Sequence, residues 1–338
     1  MTTIKDVAKK ANVSISTVSR AFSGSITVKE KTKQKILLAA EELHYAPNNI
    51  GKYLKMGQTS TIGVLIPDIR NPIFPVIVRG IEDMARRLKY NIFLCNTDED
   101  EVIQEQYVGM MRSMRAAGLI IATGQKHLNQ ADLLLHDKMP VVSIIRKIEG
   151  IDSILVDNAG GILKALNYLL DSGKKRIAIC KGPDQIQPYR ERFDAYKKRM
   201  EALGLYDSEL VIDVNPFNVG FKEIDLDGKD IVYDQLKQFF QKPIRVDAIL
   251  AANDIIAMKC LTILSELGKR VPQDIVVIGF DNVDICTMTV PPLSTVAQPL
   301  YDLGKYAVKR LVEKINNPLQ DAPIERRFET TLILRKTT

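Results

Sequence analysis

The chain has 338 residues, 46% of them hydrophobic, with three histidines, no tryptophan and a formal net charge of +6 from 47 basic and 41 acidic side chains. This is the composition of a globular chain and too apolar for a disordered one. No apolar run approaches the roughly 20 residues a membrane-spanning helix needs, and the N-terminus lacks the apolar core of an export signal, so a cytoplasmic protein is expected.

Ile4, Val7, Ala8 and Ala11 recur at helical spacing and give a first helix one apolar face. Asn12 stands where the chain must reverse, and asparagine tolerates the left-handed conformation. Ser14 is placed to cap a second helix from about Ile15, with Val18, Ala21 and Phe22 pointing back to the first. That leaves a short, polar, mildly basic outer face, the form of a helix that reads the major groove. Charge supports DNA binding over a mere helical corner. Residues 1–59 hold ten basic side chains against four acidic ones, and the remainder balances at 37 of each, so the whole excess lies on this segment.

A third helix is expected over 31–43, ended by Tyr45-Ala46-Pro47 because proline pushes its predecessor out of helical geometry. A short helix follows over 49–56, capped by Asn48 and weakened by Gly51, then a linker to residue 60. From Thr61 short apolar runs alternate with amphipathic stretches. Strands are expected at 62–66, 91–96, 118–122, 141–145, 154–156, 176–180, 210–214, 248–252, 275–280 and 294–297. Helices are expected at 74–89, 102–117, 129–137, 159–173, 189–204, 229–241, 254–268 and 301–316. That alternation predicts two doubly wound parallel sheets with a ligand cleft at their carboxyl ends.

No nucleophile motif, phosphate loop, dinucleotide fingerprint or metal spacing occurs, so no enzyme, no cofactor and no metal are expected. Cys95, Cys180, Cys260 and Cys286 lie scattered among apolar neighbours, as buried reduced thiols do. Polar residues collect after strands: Asp68, Arg70 and Asn71, then Arg146, then Asn253-Asp254 and Asp281-Asn282, with Arg192 early in a helix. Singly each reads as a cap or turn residue; as a set they suit the hydroxyls and acids of a small polar metabolite.

The chain resembles the lactose/galactose repressor (LacI/GalR) family over nearly its whole length. The marks are Thr3-Ile-Lys-Asp-Val-Ala-Lys-Lys-Ala-Asn-Val-Ser-Ile-Ser-Thr-Val-Ser-Arg20, Leu43-His-Tyr-Ala-Pro-Asn48, Asp254-Ile-Ile-Ala-Met258, Val271-Pro-Gln-Asp274, Ile278-Gly-Phe-Asp-Asn282 and Leu293-Ser-Thr-Val-Ala-Gln-Pro299. The resemblance implies a helix-turn-helix headpiece over 1–47, a hinge helix and linker over 48–60, and a periplasmic-binding-protein-like core over 61–338. Within that core, 61–158 and 290–320 are assigned to one lobe and 159–289 and 321–338 to the other. It implies a homodimer on a near-palindromic operator. Ile15, Ser16 and Arg20 would face base edges, and Thr17, Ser19 and Tyr45 phosphates. Leu54 would wedge into the minor groove with Lys55 beside it, and Gly51 stands where the family usually has alanine. The implied effector contacts are Ile73, Phe74, Arg146, Arg192, Phe217 and Asp281, with Asp68 and Asn253 nearby. The effector would be a sugar, sugar acid or sugar phosphate, the arginines leaning towards an acid. With no heptad-rich tail after Arg335, a dimer is expected rather than a tetramer. Two alternatives stand beside this. One is a regulator docking a phosphorylated carrier protein on Lys305, Lys309 and Arg310. The other is a solute-binding protein, disfavoured by the basic headpiece and the missing export signal.

Overall fold

The computed structural model describes residues 2–22, 28–45, 59–123, 139–214, 230–317 and 322–338. The chain separates into two compact units, Met1–Thr59 and Ser60–Thr338. The segment 46–58, with Leu54 and Lys55, lies outside the described residues, as do the expected helix 129–137 and Phe217.

In the first unit, α1 (Ile4–Ala11) starts where the Asp6 carboxylate accepts the Thr3 backbone N–H at 2.8 Å and its hydroxyl at 2.7 Å. Asn12 takes φ 51° and returns its N–H to the last turn. The second helix, α2 (Ile15–Phe22), starts where Ser14 Oγ accepts the Thr17 N–H at 3.2 Å. With α3 (Glu30–Glu42) these close a small core of Val7, Ala8, Ala11, Val18, Ala21 and Ile36. Alanines at the crossings let short helices approach closely, which is how so few residues bury a continuous apolar centre.

Among the described residues, the second unit contains two six-stranded sheets. The first is built from β1 (Thr61–Ile66), β2 (Asn91–Asn96), β3 (Gly118–Ile121), β4 (Val141–Ile144), β5 (Asp152–Val156) and β11 (Glu325–Phe328), in the order β11-β5-β4-β3-β1-β2. The second contains β6 (Ile177–Lys181), β7 (Val211–Asp213), β8 (Ala248–Leu250), β9 (Val276–Asp281), β10 (Ser294–Ala297) and β12 (Thr331–Ile333), in the order β12-β10-β9-β8-β6-β7. All pairings are parallel except β10 with β12. Strands β3, β4, β5 and β9 are buried along their whole length, because helices cover both faces; that is why they read as unbroken apolar runs. The helices are α4 (Ile73–Arg87), α5 (Glu101–Ser113), α6 (Asn158–Asp171), α7 (Gln187–Ala202), α8 (Ile231–Gln241), α9 (Asp254–Glu266) and α10 (Leu300–Asn316).

The lobe boundaries correct the expected ones. Strand β10 pairs with β9 in the second sheet, although 290–320 was expected in the first lobe. Strand β11 joins β5 in the first sheet, although 321–338 was expected in the second. The chain therefore crosses between lobes three times, after β5, after β10 and after β11. Strand β11 escapes pattern reading because this edge strand carries polar, exposed side chains, Glu325, Arg326 and Arg327, and β12 because its three residues, Thr331–Ile333, are too few for a pattern. Helices α4 and α10 pack closely in the first lobe. A Cβ on Gly80 would lie 2.1 Å from the Tyr301 carbonyl oxygen, and one on Gly304 2.2 Å from that of Ile77. All four cysteines are buried free thiols.

Candidate functional site

The headpiece helix α2 presents Ile15, Ser16, Ser19 and Arg20 to solvent, with Ile15 45% exposed although apolar. Thr17 and Tyr45 are half-buried; Tyr45 packs its ring 5.9 Å from that of Phe22. Ser14 Oγ lies 2.8 Å from the Ser16 hydroxyl and 2.7 Å from that of Thr17, a small hydroxyl cluster at the positive end of the helix. An exposed isoleucine beside hydroxyls and an arginine offers both an apolar contact for a thymine methyl and a fork for guanine.

Between the lobes lies a cleft of about 530 Å³, partly open to solvent. It forms where both sheets end, at the switch points of two doubly wound folds. The first lobe supplies Asn71, Ile73 and Phe74 beyond β1, and Ile145 and Arg146 beyond β4; the second supplies Tyr189 and Arg192 from α7 and Asp281 at the end of β9. Two crossovers contribute as well, with Asn158 after β5 and Gln298 after β10.

Each arginine has a carboxyl group beside it. Arg146 donates to Glu99 through both terminal nitrogens, at 2.9 and 2.6 Å. Arg192 approaches Asp281 at 3.9 Å, donates to Asn158 Oδ1 at 3.0 Å and to the Ala252 carbonyl at 2.7 Å, and lies 3.5 Å above the Phe280 ring. Gln298 donates to Asp281 Oδ1 at 2.5 Å. Burial pushes the Asp281 carboxyl up to about 8, against the pull of the Arg192 guanidinium. The pull is partial because the closest approach is long for an ion pair. Burial also lowers Arg192 and raises Tyr189 to about 12.

Asp281 takes φ 124°, a conformation costing roughly 1–3 kcal/mol that only the surroundings can hold, and Asn282 follows at φ 61°, in the left-handed region that asparagine tolerates. Asp254 helps hold it by accepting the Val283 N–H at 3.0 Å and the Thr295 hydroxyl at 2.5 Å.

The lobes also touch through side chains. Gln187 Oε1 accepts the Lys147 N–H at 2.7 Å, Gln187 donates to Glu191 at 2.8 Å, and Glu191 pairs with Arg327 of β11 at 3.2 Å. Glu191 also accepts from Asn158 at 3.0 Å, so this network reaches the Arg192 contact.

Of the expected cleft residues, Ile73, Phe74, Arg146, Arg192 and Asp281 come together around the cavity. Asp68 and Asn253 do not line the cavity, although Asn253 stands behind it, hydrogen-bonded to the cleft residue Tyr189. Asp68 forms a two-pronged pair with Arg70, and Asn253 caps α9 by accepting the Ile256 N–H at 2.9 Å. Asn158, Tyr189 and Gln298 were missed. The signal for Gln298 was its place directly after a buried strand, and for Asn158 the same; Tyr189 reads as core and is in fact 9% exposed. On α10, Arg310 turns inward to the buried Asp152 at 2.6 Å and Lys305 pairs with Asp302 at 3.0 Å, which removes much of the expected basic patch.

A helix-turn-helix headpiece ahead of a two-lobed body with a polar cleft defines a ligand-responsive DNA-binding regulator. Comparison with known proteins narrows the class. Residues 3–48 match the bacterial regulatory proteins of the lacI family, and residues 166–338 match a periplasmic binding protein-like domain. The ribose operon repressor of Bacillus subtilis is 34% identical over 340 residues, covering 100% of this chain and 99% of the relative. The crystal structure of the lac repressor dimer bound to operator and the anti-inducer ONPF superposes with a TM-score of 0.86 at 25% identity, covering 99% of this chain and 98% of that one. A LacI family transcriptional regulator from Enterococcus faecium with bound ribose gives 0.69 at 28% identity, covering 82% and 98%. The chain belongs to the lacI family and is a DNA-binding transcriptional regulator.

Proposed function

We propose that the protein is a cytoplasmic, homodimeric repressor whose operator affinity is set by a neutral sugar of pentose size in the interlobe cleft. The observation that carries the effector reading is the two-pronged pairing of Arg146 with Glu99, with Asp281 beside Arg192 as the carboxyl that a bound sugar hydroxyl would ionise. An acid or phosphate ligand needs uncompensated cations. A sugar hydroxyl instead accepts from a guanidinium and donates to a carboxylate, so a guanidinium and a carboxyl side by side suit it. Phe74, Ile73 and Ile145 supply apolar surface for ring carbons. Ribose in the name of one relative and bound in another supports the same choice.

The dimer reading is supported by apolar side chains left exposed on a single chain: Phe93 and Leu94 on the edge strand β2, and Met288 and Val290, 74% and 94% exposed, in the second lobe. In each headpiece, Ile15, Ser16 and Arg20 read bases while Thr17, Ser19 and Tyr45 hold phosphates, with Leu54 and Lys55 in the hinge. Lobe angle then couples sugar to operator, and about 1–3 kcal/mol of coupling gives a 5- to 150-fold change in affinity.

The test is a thermal-shift screen of D-ribose and D-xylulose against sugar acids and sugar phosphates. A neutral pentose at a hundred times its Kd adds about 2.7 kcal/mol, and Arg192→Ala abolishes the shift. A shift from sugar acids alone rejects the neutral-sugar reading.

A further inference from the structure

The strained turn at Asp281–Asn282 is gripped from two sides. On one, the Asp254–Thr295 pair holds its backbone, the Thr295 hydroxyl accepting the Asn282 N–H at 3.3 Å. On the other stands Arg335, just beyond β12. One guanidinium nitrogen donates to Asn282 Oδ1 at 2.6 Å and the other to the Leu293 carbonyl at 2.7 Å, while the Arg335 N–H is held by Ser294 Oγ at 2.7 Å. The fork thus ties the turn to the chain entering β10. Arg335 does not itself line the cleft.

We propose that Arg335 is a positioning residue of the effector site, locking Asn282 so that the neighbouring Asp281 carboxylate is aimed into the cleft. This rests on the reading of the cleft as the effector site. Arginine suits the task because its planar fork fixes two acceptors at once, which a lysine cannot do with the same geometry. A plain staple of β12 is the competing role, but β12 is held without the guanidinium. Its ladder pairs Thr295 with Ile333 and Ala297 with Thr331. The Thr337 hydroxyl adds a bond to the Val277 carbonyl at 2.7 Å and accepts the Ser294 N–H at 2.8 Å. Loss of the Arg335 side chain should therefore be felt at Asp281 before it is felt in the fold.

The experiment pairs two readouts. Carboxyl-carbon NMR of ligand-free protein labelled at aspartate follows Asp281, identified by its disappearance in Asp281→Asn. The charged and titratable groups facing it, Arg192 and Tyr189 of α7, Asp254 of α9 and Cys286 beyond β9, are unchanged in sequence in every other variant. Calorimetry measures D-ribose affinity. In Arg335→Met the Asp281 titration moves down towards the ordinary carboxyl range as the turn relaxes into solvent, and D-ribose affinity at pH 9, where the carboxyl is ionised in both proteins, falls at least tenfold with the urea midpoint little changed. Asn282→Asp, which keeps an acceptor for the fork, holds affinity within about threefold, and Arg335→Met costs less than twofold in an Asp281→Asn background. An unmoved Asp281 titration in Arg335→Met overturns the proposal whether or not D-ribose binds, and so does an equal affinity loss in both backgrounds. If instead Asp281→Asn leaves D-ribose binding intact, the effector-site reading fails on its own account.

Discussion

The raised Asp281 carboxyl makes sugar binding pH-dependent with a definite sign. In the ligand-free lobe its proton is held up to about 8, against 3.8 for an unperturbed aspartate. A sugar hydroxyl that donates to this group requires the carboxylate, so binding expels the proton. Affinity then rises about tenfold per pH unit below 8 and levels off above it. Between pH 6 and pH 8 the gain is about fifty-fold, or about 2.3 kcal/mol at 1.36 kcal/mol per pH unit. Folding stability of the ligand-free protein runs the other way. The native lobe binds the proton more tightly than the unfolded chain, so this group's contribution is full below pH 3.8 and is lost as pH rises through about 8. Tyr189, raised to about 12, does not titrate in this window. Calorimetric titration of D-ribose from pH 6 to 9 in buffers of different ionisation enthalpy measures both the affinity and the protons released. A flat affinity across that range, or the same slope in Asp281→Asn, refutes the reasoning.

Further outcomes follow from other parts of the molecule. Arg20→Ala costs about 1–3 kcal/mol of operator affinity and relaxes preference at one position of each half-site; unchanged selectivity in a binding-site selection removes Arg20 from base reading. Glu191→Ala cuts the link between Arg327 and the Gln187–Asn158 side of the cleft, and weakens D-ribose binding about two- to fivefold, a small effect because the pair is partly exposed. If affinity is unaltered, that link plays no part in bringing the lobes together. Gly304→Ala forces a methyl against the Ile77 carbonyl and lowers stability by about 1–3 kcal/mol in urea unfolding; a wild-type midpoint would show that the α4–α10 contact yields freely.

The sequence by itself determined what depends on local pattern. The headpiece was legible because caps and spacing are short-range. Thr3 with Asp6, Asn12 at the reversal and Ser14 before Ile15 each do in space what their chemistry dictates. The buried strands were legible because two-sided burial writes itself as unbroken apolar runs. Tertiary structure decided what depends on neighbours far along the chain. Edge strands β11 and β12 are specified by the strands they join, Glu325 beside Ser153 and Leu332 beside Val296, so their own side chains carry little pattern. Asn253 and Asp281 look alike in sequence, each a polar residue closing a strand. Only the fold turns one inward to cap a helix and the other into the cleft. The arginines gave the same ambiguity: their charge was visible in the sequence, but the pairing of Arg146 with Glu99, 47 residues before it, and the approach of Arg192 to Asp281 were not. Electrostatics is set by distance in space, and a linear pattern records only distance along the chain.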